Sequence, residues 1–162
     1  MPYASGRTIH DADAHIMETP TWLRDHADPG IRDRIEPLAY TSGNELRQTG
    51  DPDEQLRDLT AAFQRMTEKH ASEEYREAEA EEIMARKNFA ATGSWIPEDR
   101  PRALDLLGFS SQLVFNTFHN GRLHDWEHGD DAELAVGAAR AHNRGMVEFC
   151  SVDDRLLPTC YV

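Results

Sequence analysis

The stretch that most restricts the fold runs from Glu98 to Thr117. Leu104 and Leu107 mark the inward face of a short helix, and Gly108 follows where a helix can end in the left-handed conformation. Ser111-Gln112-Leu113-Val114-Phe115-Asn116-Thr117 comes next, short, apolar and rich in β-formers. Such a run beside a helix-ending glycine reads as a buried parallel strand. Helix, glycine and buried strand together are the repeating rhythm of α/β folds, in which helices cover the faces of a parallel sheet.

The rest of the chain is read around that unit. Thr8 to Met17 is expected as a first strand and Leu156 to Val162 as a third, entered after Asp153-Asp154-Arg155 breaks a helix. That helix is expected to start with Asp130 as cap and Glu133 completing a capping box, and to run to about Cys150, with Leu134, Ala138, Ala141 and Phe149 on one face. Asp51-Pro52-Asp53-Glu54 is another helix start. Leu56, Leu59, Phe63, Met66 and His70 then recur at alternating three and four, a stripe that packs on its own domain or receives a partner. Six glutamates from Ser72 to Glu82 make a solvated face or an acidic interaction surface. Thr19-Pro20-Thr21-Trp22-Leu23 begins a short helix or turn. The turn signals Pro29-Gly30, Pro37, Ser42-Gly43 and Gly50 then predict an irregular excursion or small hairpin, and Phe118 to Gly129 reads as a loop.

Composition removes several function classes. A chain of 162 residues can build one domain with a real core. Its net charge of −13, from 30 acids against 17 bases, argues against nucleic acid or an anionic membrane as partner, since phosphate binding needs a basic footprint. The two cysteines, Cys150 and Cys160, lack a short metal-type spacing and suit a reducing compartment. No apolar run is long enough to span a bilayer, and no secretory pattern opens the chain. The expectation is a cytoplasmic protein.

Chemistry concentrates in His10-Asp11-Ala12-Asp13-Ala14-His15-Ile16-Met17-Glu18. On a strand, residues i and i+2 share a face, so Asp11, Asp13 and His15 are expected to project together. Two carboxylates and an imidazole are ligands for zinc or manganese. The alternative is that Asp13 caps a turn and His15 is a satisfied buried histidine. Glu18 either orients His15 from behind or starts a helix. Asn116, Thr117 and His119 lie at the end of the second strand, positioned to touch a substrate or simply to be polar residues facing solvent. His124-Asp125-Trp126-Glu127-His128 matches the H-x-x-E-H pattern of inverted zinc proteases, but Gly129-Asp130-Asp131 starts a different helix at once, which disfavours that chemistry. His142 and Asn143, in mid-helix, are read as packing residues.

Asp13-Ala14-His15 with Glu18 and Pro20 resembles the first strand of the amidohydrolase-related family. So does Arg102-Ala103-Leu104-Asp105-Leu106-Leu107-Gly108-Phe109 before Gln112-Leu113-Val114-Phe115, which is similar to the family's second helix and strand. Ala139-Arg140-Ala141-His142-Asn143-Arg144 with Glu148-Phe149-Cys150 is similar to the next helix, and Asp154-Arg155-Leu156 to the third strand entry. These segments keep the family's order from residue 9 to residue 162, while residues 19–95 match more loosely. The family comprises metal-dependent TIM-barrel hydrolases and decarboxylases of the aminocarboxymuconate semialdehyde decarboxylase type.

The resemblance implies an α/β chain forming the N-terminal portion of a (β/α)8 TIM barrel. A helical insertion at about 19–95 would follow the first strand, within a single, incomplete domain over 1–162. It implies Asp13 and His15 as metal ligands, zinc or manganese as cofactor, and Asn116, Thr117 and His119 toward a small-molecule substrate, with Glu18 behind the ligands. The activity implied is hydrolysis or decarboxylation of a small organic carboxylate, in a chain that can be a homo-oligomer. The departure is one of length: a full barrel takes about 250 residues and at least about 200. The further histidine and aspartate that such barrels draw from later strands have no counterpart here. The isolated chain is therefore expected to be inactive, as the N-terminal part of a longer enzyme. The rival expectation is a non-catalytic acidic chain that associates with a protein through the 51–90 helices.

Overall fold

A computed structural model describes residues 6–38 and 51–162. The turn signals at Ser42-Gly43 and Gly50 lie outside the described residues. Strands β1 (His10–His15), β2 (Ser111–Phe115) and β3 (Leu156–Pro158) form one parallel sheet in the order β1-β2-β3. The helices are α1 (Trp22–His26), α2 (Pro29–Arg32), α3 (Pro52–Ala71), α4 (Glu73–Glu82), α5 (Arg100–Leu107), α6 (Asn120–Glu127) and α7 (Ala132–Cys150).

The expected portion of a (β/α)8 TIM barrel is corrected by this topology. Among the described residues the sheet is open and three-stranded, and β1 and β3 each pair with β2 alone. Closing a sheet into such a barrel takes about eight strands with a common tilt and stagger. The fold is a small α/β one with helices gathered on one sheet face. That face carries Ile16, Val114 and Leu156 against Leu104, Ala138, Ala141, Met146 and Phe149. The opposite face leaves Leu113 36% and Leu157 48% exposed.

The α5–β2 unit forms as the sequence dictates. Gly108 ends α5 at φ 78°, and its N–H returns to the Leu104 carbonyl. β2 alternates about the sheet, with Gln112 and Val114 buried and Leu113 exposed. Residues 19–95 are less of an insertion than their looseness implied, because they divide in two. α1 and α2 lie on α7 and supply Trp22, Leu23, Ala27 and Ile31 to the main core, with Ile35 just beyond α2. This contact is close: a Cβ on Gly145 would stand 2.5 Å from Trp22 Cζ2, so only glycine lets the indole lie on α7.

α3 and α4 form a separate helical pair hinged on Ser72. Its Oγ donates to the Lys69 carbonyl (2.7 Å) and accepts from the Tyr75 N–H (3.3 Å), ending one helix and capping the next. The pair is fastened to the body by polar contacts. Fully buried Glu79 meets Arg102 and the Thr92 hydroxyl, and Arg76 pairs with Asp99 at 2.7 Å. Of the α3 stripe only His70 is buried; Leu56, Leu59, Phe63 and Met66 are half-covered among the described residues.

Several boundaries move. β1 is His10–His15, shorter than Thr8 to Met17. β3 ends at Pro158; Thr159 still gives its N–H to the Val114 carbonyl (3.0 Å), and beyond it Asn143 takes over, Oδ1 accepting from the Tyr161 N–H (2.7 Å) and Nδ2 donating to the Tyr161 carbonyl (2.9 Å). Asp131, not Asp130, caps α7, its carboxylate accepting from the Leu134 N–H at 3.1 Å. Residues expected as loop after Phe118 contain α6, with Leu123 buried one face inward. Among the described residues no helix is long and apolar enough to cross a membrane.

Candidate metal centre

The first strand does not present Asp11, Asp13 and His15 on one face. Asp11 pairs with Gln112 and Ala14 with Val114, so two β1 residues stand opposite Leu113 alone. This bulge turns the strand's faces over between Asp11 and Ala14. Asp11 stays on the face of Gln112, whose Nε2 donates to Asp11 Oδ2 at 3.1 Å. Asp13 and His15 emerge on the opposite face, His15 beside Phe115 with ring centroids 5.8 Å apart. Asp11 Oδ1 accepts the Asp13 N–H at 3.0 Å, a turn-like bond that holds the bulge.

Asp13 Oδ1 and His15 Nε2 are 3.3 Å apart, and His15 Nδ1 faces the Asn116 carbonyl at 2.9 Å. Thr117 Oγ1, which donates to the Ile16 carbonyl at 2.6 Å, also turns its lone pairs toward Nδ1 at 3.3 Å. The imidazole thus has acceptors at both ends. A neutral ring has one N–H and can satisfy only one of them. With Nδ1–H given to the Asn116 carbonyl, Nε2 and the exposed Asp13 carboxylate face each other as an ion pair when the ring is protonated, or as two donors a cation can share when it is not. Two atoms bonded to one tetrahedral zinc at about 2.0–2.1 Å stand about 3.3 Å apart, so the spacing of this pair fits the ion.

The remaining expected residues are placed unequally. Asn116 and Thr117 reach His15 through a carbonyl and a hydroxyl. Glu18 is 1% exposed, and its carboxylate accepts from the N–H groups of Thr117, Phe118 and His119 at 3.0–3.2 Å. It thereby fastens the loop whose Asn116 carbonyl orients His15, while burial pushes its carboxyl above the ordinary range. His119 lies in the core, 1% exposed and stacked on Trp22 at 6.0 Å, away from any surface a substrate could reach.

A cavity of about 210 Å³ lies beside β1, and His15, Asp11, Ser94, Arg100 and Gln112 belong to its wall; Asp13 does not. Arg100 is 6% exposed. Its Nε donates to Gln112 Oε1 (2.9 Å), and one terminal nitrogen to the carbonyls of His15 and Gly93 (3.1 Å each). The other terminal nitrogen donates to no group among the described residues. Burial pushes the guanidinium down, and Asp11 supplies the opposing charge through space. Ser94 Oγ, also buried, has no hydrogen-bond partner. A buried guanidinium with spare donors beside an unpartnered hydroxyl is suited to a carboxylate. Sequence reading missed Arg100, although a cation in the first turn of a helix opposes the helix dipole and needs some compensating partner.

The fold and this pair of clusters define a small α/β protein with a candidate metal pair at the end of its first strand. No family model matches the chain, and no curated protein or solved structure matches it either.

Proposed function

We propose that this chain carries the metal-binding part of a metal-dependent hydrolase or decarboxylase of a small organic carboxylate, in the manner of the amidohydrolase-related enzymes it resembles. Asp13 and His15 hold the ion, zinc or manganese. The carrying observation is the 3.3 Å approach of Asp13 Oδ1 to His15 Nε2, with Nδ1 committed to the Asn116 carbonyl. An ion there would polarise a carbonyl or carboxylate, or lower the pKa of a bound water. Two protein ligands are fewer than the about three of a catalytic zinc site, so the reading requires further ligands beyond this pair. Two free cysteines, Cys150 and Cys160, support a reducing, cytoplasmic setting.

The test is the ¹⁵N spectrum of the His15 ring. The reading expects the proton on Nδ1 and a shift of Nε2 when zinc is added, absent in Asp13→Ala. A proton on Nε2 with no response to zinc refutes it.

One observation favours the rival reading of association through residues 51–90: the half-covered stripe of Leu56, Leu59, Phe63 and Met66. Sedimentation tests it with Leu59→Glu/Met66→Glu. A wild-type chain that associates and a variant that does not would support it, and a monomeric wild type would oppose self-association.

A further inference from the structure

We propose that His124, Glu127 and His128, at the C-terminal end of α6, form a second site for a divalent transition-metal ion such as zinc or nickel. It is independent of Asp13 and His15. Residues three and four apart share a helix face, and the eight-residue α6 supplies the turn that brings these three together. The two imidazole centroids are 4.2 Å apart. One ligand atom from each of the three residues lies within 4.8 Å of the others, a spacing that side-chain rotation can close around an ion.

Two contacts prepare the donors. His128 Nδ1 donates to the His124 carbonyl at 2.9 Å, which fixes the tautomer and leaves the Nε2 lone pair free to ligate. Glu127 Oε2 accepts from the Tyr161 hydroxyl at 2.5 Å, so the carboxylate is held while its other oxygen remains a donor. All three residues are exposed, which admits the ion and leaves room for water to complete its shell. The carbonyl end of α6 carries partial negative charge and favours a cation. Two imidazoles and one carboxylate select zinc or nickel over magnesium or calcium, which prefer oxygen alone.

The site also has a structural consequence. Tyr161 belongs to the segment after β3 that Asn143 holds by its backbone. The Tyr161 hydroxyl therefore links the segment following the sheet to the Glu127 ligand on α6.

The experiment is calorimetric titration of the full chain with zinc chloride, nickel chloride and magnesium chloride. The proposal expects one equivalent of zinc or nickel that disappears in His124→Ala/His128→Ala, with circular dichroism unchanged. It expects at least tenfold weaker binding in Glu127→Ala, and a several-fold loss in Tyr161→Phe. Zinc stoichiometry unchanged in the double-histidine variant overturns it, as does magnesium binding equal to zinc. Should the double variant fail to fold, Glu127→Ala alone decides by the same comparison.

Discussion

Replacing His119 by leucine should make the protein markedly less sensitive to acid. Neither ring nitrogen of His119 has a hydrogen-bond partner, and the ring is sealed against Trp22. Burial, aided by Arg122 and His142, pushes its pKa from 6.5 down to about 3. In the unfolded chain the ring takes a proton near pH 6.5, whereas the folded chain refuses it until about pH 3. The unfolded state therefore binds more protons across that window, and stability falls as pH falls. The slope is about 1.4 kcal/mol per pH unit for each such histidine. His142, pushed to about 4 by burial, behaves in the same way. Between about pH 6.5 and pH 4.5 the two together remove about 5 kcal/mol, comparable with the whole stability of many domains. In His119→Leu the slope should drop by about 1.4 kcal/mol per pH unit, a gain of about 3 kcal/mol over wild type by pH 4.5 beyond any difference at pH 7. Urea unfolding followed by circular dichroism across this range measures it. Equal slopes in the two proteins would refute the claim that His119 is folded in the neutral form.

Four other outcomes follow from contacts described above. Gly145→Ala should lower stability by about 1–3 kcal/mol, because the rigid Trp22 ring cannot yield to a new Cβ and this outweighs the roughly 1 kcal/mol gained in helix propensity; an unchanged melting temperature would contradict it. Glu79→Ala should cost about 1–3 kcal/mol in chemical denaturation, less than a fully buried ion pair would, because Arg76 and Arg102 are part-exposed and can turn to water. Native protein should react with a thiol reagent at Cys160 alone and in denaturant at both cysteines, since Cys150 is buried with its thiol pushed up to about 11; two fast thiols in the native state would contradict this. Malonate, but not malonamide, should raise the melting temperature if Arg100 and Ser94 receive a carboxylate, and equal responses would remove that role.

What the sequence displayed was local. Gly108 and the apolar run to Phe115 located α5 and β2, and Asp51 located the start of α3, because a cap, a helix-ending glycine or a buried run is decided within a few residues. The bulge between Asp11 and Ala14 was not visible, because a strand's two-residue period carries no mark of where one extra residue enters. That single insertion moved Asp11 to the other face of the sheet and left Asp13 with His15. α6 lay inside the stretch Phe118 to Gly129 read as a loop, because Asn120-Gly121 and Gly129 are poor helix formers, although Leu123 and Trp126 already had helical spacing. His119 lies next to the chain's polar strand end, and nothing nearby in sequence predicts that Trp22, almost a hundred residues earlier, covers it. The open sheet follows from how many strands pair, a long-range property that no segment displays alone.

The metal centre stands or falls on a cation between Asp13 and His15. Calorimetric zinc titration of His124→Ala/His128→Ala, with the α6 site removed, tests it directly. One remaining equivalent, abolished when Asp13→Ala/His15→Ala is added, is the predicted result. No remaining zinc binding, or binding that persists without Asp13 and His15, would contradict the metal centre.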